Sequence, residues 1–223
     1  MTAVVLQARL DSSRLPQKAM LCIDGKPLVL HVMNALKEIF ANIHVLACPD
    51  DSFGVFKPLA EEAGFKIVSG PKEDVLERFC IVIREFKIDR IIRATGDNPF
   101  VFTDAASLLN EEAVKLNCDY AGFSELPYGA GVESVSASAL LKAANETELP
   151  FDREHVCPYL YNNPQVFKLH RPSAPSQWKY PQIRLTVDTQ EDFDKAKILY
   201  NALKNNPNRY NGTTIIEVFK KLF

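Results

Sequence analysis

Short apolar runs alternate with segments of helical period along the first half of the chain. Ala3–Ala8 is a valine-rich run that reads as a buried strand. Ile43–Ala47, Phe65–Val68 and Arg90–Ala94 read as the next three strands. Between them, Leu28, Val32, Leu36 and Ile39 recur at helical spacing, and Leu59–Ala63 is helical with Gly64 as its stop. Val75, Leu76, Phe79, Val82, Ile83 and Phe86 share one face of a helix over Asp74–Phe86, and Asp104–Leu116 is a further helix. That alternation predicts an α/β fold, with a mostly parallel sheet sandwiched between helices. Within the first crossover, Met20–Ile23 reads as extended, Asp24-Gly25 as a turn, and Pro27 as the first turn of a helix.

Beyond Leu116 the pattern loosens. Asp119–Phe123 and Gly131–Ser136 read as strands around a Leu126–Gly129 turn. Leu140–Thr147 and Asp152–Tyr161 read as helices, Val166–Leu169 as extended, and Ile183–Val187 as a late strand. Gln190–Leu203 and Thr213–Leu222 close the chain as helices. With no internal repeat or linker, one domain over 1–223 is expected, with a smaller subregion around 120–182. A length of 223 residues, 47% hydrophobic, suffices for one sizeable core.

Charge and cysteine usage narrow the function. The 26 basic and 28 acidic residues leave a formal charge of −2, which argues against a duplex nucleic-acid binder. The five cysteines are odd in number and far apart, with no C-x-x-C pair. They point to reduced thiols in a cytoplasmic protein rather than to disulfides or zinc. The start has no basic-then-apolar leader, and no run approaches the ~18 apolar residues of a membrane span.

Three loops that follow expected strands carry the candidate chemistry: Gln7–Lys18, Thr95–Pro99 and Asp188–Asp192. In an open α/β sheet such loops gather at the carboxyl edge of the strands. The first brings Arg9, Arg14 and Lys18; the others bring Asp97 and Asp188. Cations neutralise phosphate oxygens. Mg²⁺ takes one or two protein carboxylates and completes its shell with phosphate and water. The combination suits a nucleoside triphosphate with Mg²⁺ held by Asp97 and Asp188. No G-x-x-x-x-G-K-[ST], no G-x-G-x-x-G after the first strand and no G-x-S-x-G is present, which excludes the P-loop, dinucleotide-fingerprint and hydrolase-elbow readings.

Five segments lie in the order found in the cytidylyltransferase family that includes the spore coat polysaccharide biosynthesis protein SpsF and, more distantly, the CMP-Kdo and CMP-sialate synthetases. They are Q-A-R-L-D-S-S-R-L-P-Q-K at 7–18, E-D-V-L-E-R-F at 73–79, R-A-T-G-D-N-P at 93–99, E-H-V-C-P-Y-L-Y at 154–161 and R-L-T-V-D-T-Q-E-D-F at 184–193. The chain resembles that family over nearly its whole length. The resemblance implies a Rossmann-like nucleotide-diphospho-sugar transferase fold and transfer of CMP from CTP to a sugar acid or sugar phosphate, with Mg²⁺ as cofactor. It implies that Arg9, Lys18 and Asp97 are catalytic, that Arg14 and Ser13 help hold the triphosphate, and that Asp97 and Asp188 bind the metal. It puts the Ala8 backbone and the Ser69–Asp74 stretch, Gly70 included, near the nucleoside, with Asp74 and Arg78 in reach of the nucleotide. Glu133 and His155 would contact the acceptor, and a homodimer is implied.

Two positions depart from the family pattern A-R-x-G-S-x-R-L-P-G-K. Asp11 and Gln17 stand where it has glycine. The alternatives are a nucleotidyltransferase using another NTP or a phosphonate acceptor, and a nucleotide-binding relative that has lost catalysis. Simpler roles stand beside the sharp ones. Asp188 or Thr189 can cap the following helix, with Glu191 completing a capping-box pattern after Asp188. Asp74 can cap its own helix, and Asp192 reads as an exposed charge at a helix N-terminus.

Overall fold

A computed structural model describes residues 1–12 and 14–223. Strand β1 (Thr2–Gln7) leads into the 7–18 loop and a 3-10 turn at Lys18–Met20. The two-residue strands β2 (Cys22–Ile23) and β3 (Lys26–Pro27) then form a small hairpin. Met20 therefore ends a helical turn instead of starting an extended piece, and Pro27 precedes helix α1 (Leu28–Leu36) as its cap. Next come β4 (Ile43–Pro49), α2 (Phe53–Ala63), β5 (Lys66–Gly70), α3 (Val75–Phe86), β6 (Arg90–Thr95) and α4 (Thr103–Leu116). Gly64 ends α2 in the left-handed conformation, as its position suggested.

The second half follows with β7 (Tyr120–Ala121), β8 (Glu133–Ser136) and α5 (Ala137–Glu146). The expected 152–161 helix is two, α6 (Pro150–His155) and α7 (Pro158–Asn162). Val156 separates them at φ 75°, ψ −56°, a γ-turn closed by Cys157 N–H donating to the His155 carbonyl at 2.9 Å. After β9 (Leu169–His170), the expected 183–187 strand is extended chain that makes a single bridge, Arg184 to Tyr128. Helices α8 (Gln190–Leu203) and α9 (Gly212–Leu222) finish the chain.

The seven-stranded sheet runs β5-β4-β1-β6-β8-β7-β9. β8 is antiparallel to both its neighbours, and the other pairings are parallel. Because side chains alternate across a strand, Val4 and Leu6 face a core with α1, α2 and α4, while Ala3 and Val5 face one with α3, α5 and α7. Burial on both faces explains the unbroken apolar run. A third cluster, built on Phe100, Phe102, Leu185, Val187, α8 and α9, packs beside the two. Strand order reverses at β1, so the loops after β1 and β6 part at the carboxyl edge and open a crevice there. Among the described residues no helix is long and apolar enough to cross a membrane.

Candidate functional site

The crevice is a cavity of about 610 Å³. β1 and β6 pair up to Gln7 and Thr95, so the 7–18 and 95–99 loops leave the sheet side by side. Gly96 permits their contact: its N–H donates to the Gln7 carbonyl at 2.9 Å. A Cβ at Gly96 would fall 2.9 Å from the Ala8 Cβ. In the 7–18 loop, Gln17 sits at φ 52°, the left-handed region that glycine enters freely. An exposed, non-glycine residue therefore holds the left-handed turn here.

Lys18 is the centre of the site. Its Nζ donates to Asp97 Oδ2 and Asp188 Oδ1, each at 2.9 Å, and to the Val187 carbonyl at 3.1 Å. Asp188 also accepts from Arg14 Nη2 at 2.9 Å and from Arg184 Nη2 at 2.6 Å. Burial raises the Asp188 carboxyl, but Lys18, Arg14 and Arg184 outweigh it and hold the group below its ordinary range. Asp97 Oδ1 accepts from Thr95 Oγ1 at 2.7 Å, and Asn98 Nδ2 donates to the same hydroxyl at 2.8 Å. Arg14, paired with Asp188 through one nitrogen, is 65% exposed, whereas Lys18 is 17% exposed. Arg9 stands opposite, 3.4 Å from Glu154.

Hard oxygen donors on two elements already share one positive charge, the Lys18 ammonium. That donor set fits a hard divalent cation such as Mg²⁺, which needs only one or two carboxylates from the protein. Among the described residues no group of three or more His, Cys, Asp and Glu is gathered as an all-protein metal cage.

The far end of the cavity holds a second network. Arg93 pairs with Glu133 and donates from Nε to Gln7 Oε1 at 3.0 Å, and the Tyr120 hydroxyl donates to Glu133 Oε1 at 2.8 Å. Burial, then the Glu133 charge, push the Tyr120 phenol far above its usual range, so it remains a donor. His155 borders the same space and packs on Phe151 with ring centroids 4.5 Å apart.

Ala8, Arg9, Arg14, Lys18, Arg78, Asp97, Glu133, His155 and Asp188 line this one cavity. Ser13 lies outside the described residues. Ser69, Gly70 and Asp74 are not in its wall. Asp74 caps α3 by accepting from Glu77 N–H at 2.9 Å and pairs with Arg153. Arg78 is 2% exposed, and its Nη1 donates to the carbonyls of Pro71 at 2.6 Å and Lys72 at 2.9 Å, which braces the 71–74 turn. Thr189, not Asp188, caps α8, and Asp192 rather than Glu191 completes the capping box. Asp192 is not a free surface charge: it pairs with Arg184 at 3.0 Å and accepts from the Asp188 N–H at 3.0 Å. Gln7, Arg93, Tyr120 and Arg184 were not singled out in the sequence. Three of them had a signal: Gln7, Arg93 and Arg184 each open one of the segments found in the family's order, and Gln7 and Arg93 are polar side chains within apolar strands.

A family model described as cytidylyltransferase matches residues 3–215. The spore coat polysaccharide biosynthesis protein SpsF of Bacillus subtilis (strain 168) is 29% identical over 210 residues, 91% of this chain and 88% of that protein. A solved cytidylyltransferase from Leptospira borgpetersenii serovar Hardjo-bovis superposes with a TM-score of 0.90 at 24% identity, covering 99% of this chain and 94% of that one. The structure of CMP:2-keto-3-deoxy-manno-octonic acid synthetase complexed with CTP superposes with a TM-score of 0.70 at 18% identity, covering 90% and 98%. The fold is thus the Rossmann-like fold of the nucleotidyltransferases.

Proposed function

The chain belongs to the cytidylyltransferase family, and from that premise we propose that it transfers CMP from CTP to a sugar acid or sugar phosphate for surface polysaccharide synthesis. The acceptor oxygen forms a bond to the α-phosphorus, the bond to the β-phosphate oxygen breaks, and pyrophosphate leaves. Such chemistry depends on positioning and charge neutralisation more than on covalent help from side chains. The observation that supports the reading most is the convergence of Arg9, Arg14 and Lys18 with Asp97 and Asp188 on one cavity, with Lys18 bonded to both carboxylates.

Arg9, Arg14 and Lys18 neutralise the triphosphate. Asp97 and Asp188 would hold Mg²⁺, which supplies charge stabilisation for the leaving pyrophosphate when bound. Arg78 fixes the turn beside the nucleoside by its grip on the Pro71 and Lys72 carbonyls. Glu133, oriented by Arg93 and Tyr120, and His155 receive the acceptor's hydroxyl groups. The reading includes a cytoplasmic homodimer; the five free cysteines, four of them buried, suit a reducing compartment.

Pyrophosphate release, followed with each of the four NTPs and a panel of sugar acids and sugar phosphates, tests the reading. CTP alone is expected to support turnover. Asp97→Asn is expected to fold and to lose roughly a hundredfold or more in turnover, the scale of removing a charge-stabilising group. Wild-type rates in that variant would refute the metal role. Lys18→Ala is expected to weaken CTP binding more than CMP binding, and an equal loss for both would remove the lysine from the outer phosphates.

A further inference from the structure

Asp11 sits in the cavity wall on the same loop as Arg9, Arg14 and Lys18. Its carboxylate opposes the cations around it, yet it is partnered. Lys72 Nζ forms an ion pair with Asp11 Oδ2 and lies 3.4 Å from Asp51 Oδ2. Neither Lys72 nor Asp51 is in the cavity wall, so the ammonium reaches Asp11 from its outer flank.

Both anchors of this bridge are fixed. The Lys72 carbonyl accepts from the buried Arg78 guanidinium at 2.9 Å. Asp51 Oδ1 accepts from Ser52 Oγ at 2.7 Å in the turn that opens α2. One ammonium therefore ties together the loop after β1, the turn after β4 and the turn after β5. Asp11, then Asp51, raise the lysine above its ordinary range, so it stays charged.

We infer that Lys72 is a positioning residue for the polyphosphate: it cancels the Asp11 charge in the cavity wall and fixes the 7–18 loop, so that Arg9, Arg14 and Lys18 act on the ligand unopposed. The inference rests on the nucleotide reading above. A cavity of about 610 Å³ spans about one screening length at physiological salt, roughly 8 Å. A bare Asp11 carboxylate would therefore act on any anion that fills it. A polyphosphate, with several charges, would feel this most, and a nucleoside monophosphate least.

The test is a binding titration of the full chain with CTP and with CMP, for wild type, Lys72→Gln, Lys72→Arg, Asp11→Gly and the double variant Asp11→Gly/Lys72→Gln. Lys72, Asp11 and Asp51 are all exposed, and exposed ion pairs contribute little to folding, so these variants keep the fold. Lys72→Gln is expected to weaken CTP about tenfold and CMP less than about twofold, with the CTP loss shrinking in high salt. Lys72→Arg is expected to bind CTP within about twofold of wild type, and the double variant within about twofold of Asp11→Gly, because the two residues act as one unit. A double variant as weak as Lys72→Gln would show that the lysine meets the nucleotide directly and would overturn the inference. So would equal losses for CTP and CMP, the mark of a merely structural role. Wild type that fails to bind CTP overturns the nucleotide reading and this inference with it; wild type that binds, with Lys72→Gln unimpaired, overturns the inference alone.

Discussion

Asp188 is 5% exposed and still ionised, and its three cationic neighbours are the reason. A carboxyl whose folded pKa is depressed contributes stability above its unfolded pKa of about 3.9, and that contribution is lost as pH falls through the folded value. Lys18 is the neighbour shared with Asp97, so its charge is satisfied from two sides. Lys18→Met is expected to lower stability near pH 7 by about 1–3 kcal/mol, the scale of hydrogen bonds to charged groups. The difference from wild type should shrink as pH falls from the unfolded carboxylate value of about 3.9 through the lower folded value of Asp188, where that carboxyl takes up its proton in wild type as well. Urea melts between pH 3 and pH 7 measure it. A gap that stays constant across that range would show that the lysine stabilises through packing of its stem and not through these charges.

At the scale of elements, the N-terminus of α8 and the Asp188 turn form one device. Thr189 accepts from the Asp192 N–H at 3.2 Å, while Asp192 Oδ2 accepts from the N–H groups of Asp188 and Thr189, each at 3.0 Å. Asp192 therefore fixes the backbone that presents Asp188. Asp192→Ala is expected to cost about 1–2 kcal/mol in chemical denaturation, with an unchanged denaturant slope, because a cap and an ion pair are lost but no core. Turnover should fall as well; loss of stability with full turnover would mean that Asp188 holds its place without the cap. The sequence showed an acidic residue three places after a threonine, which is the cap itself. It did not show Arg184 folding back onto both Asp188 and Asp192, and so the carboxylate read as a surface charge. The same limit recurs elsewhere. β1, β4, β5 and β6 were legible because burial on both faces demands continuous apolar residues. The expected 119–123 strand shrinks to the two residues of β7, β9 meets the expected 166–169 extended run at Leu169 alone, and the 183–187 run has strand-like residues but pairs at one position only. Val156 at φ 75° could not be foreseen either, since a buried valine gives no local signal of a γ-turn.

At the scale of the molecule, the pairs that assemble and flank the site join residues far apart in sequence: Lys18 to Asp97 and Asp188 within it, Asp74 to Arg153 outside its wall, and Asp11 to Lys72 at its edge. The sheet's carboxyl edge made the first of these foreseeable, because post-strand loops must gather there. No local rule points to the other two. The third core is similarly non-local, since it forms where α9 docks on α4. Gly212, which opens α9, donates its N–H to Asp104 Oδ1 at 3.0 Å. A Cβ there would fall 2.5 Å from Phe102 Cδ2 and 3.0 Å from Trp178 Cδ1, and both rings are buried, with no space to retreat into. Gly54, by contrast, lies exposed in α2 with nothing within 4 Å of the corresponding position. Helix propensity favours alanine over glycine by about 0.5–1 kcal/mol at either site. At Gly212 an overpacking cost of about 1–3 kcal/mol opposes it, and the larger effect wins. Gly54→Ala is therefore expected to raise the melting temperature and Gly212→Ala to lower it. At about 2–4 °C per kcal/mol for a chain of this size, the two should differ by several degrees. CTP affinity of the folded fraction should match wild type in both, because neither glycine lies in the cavity wall. Calorimetry on the pair decides the matter: two increases would show that α9 can shift away from Phe102 at little cost, and that the third core does not hold it in a fixed seat.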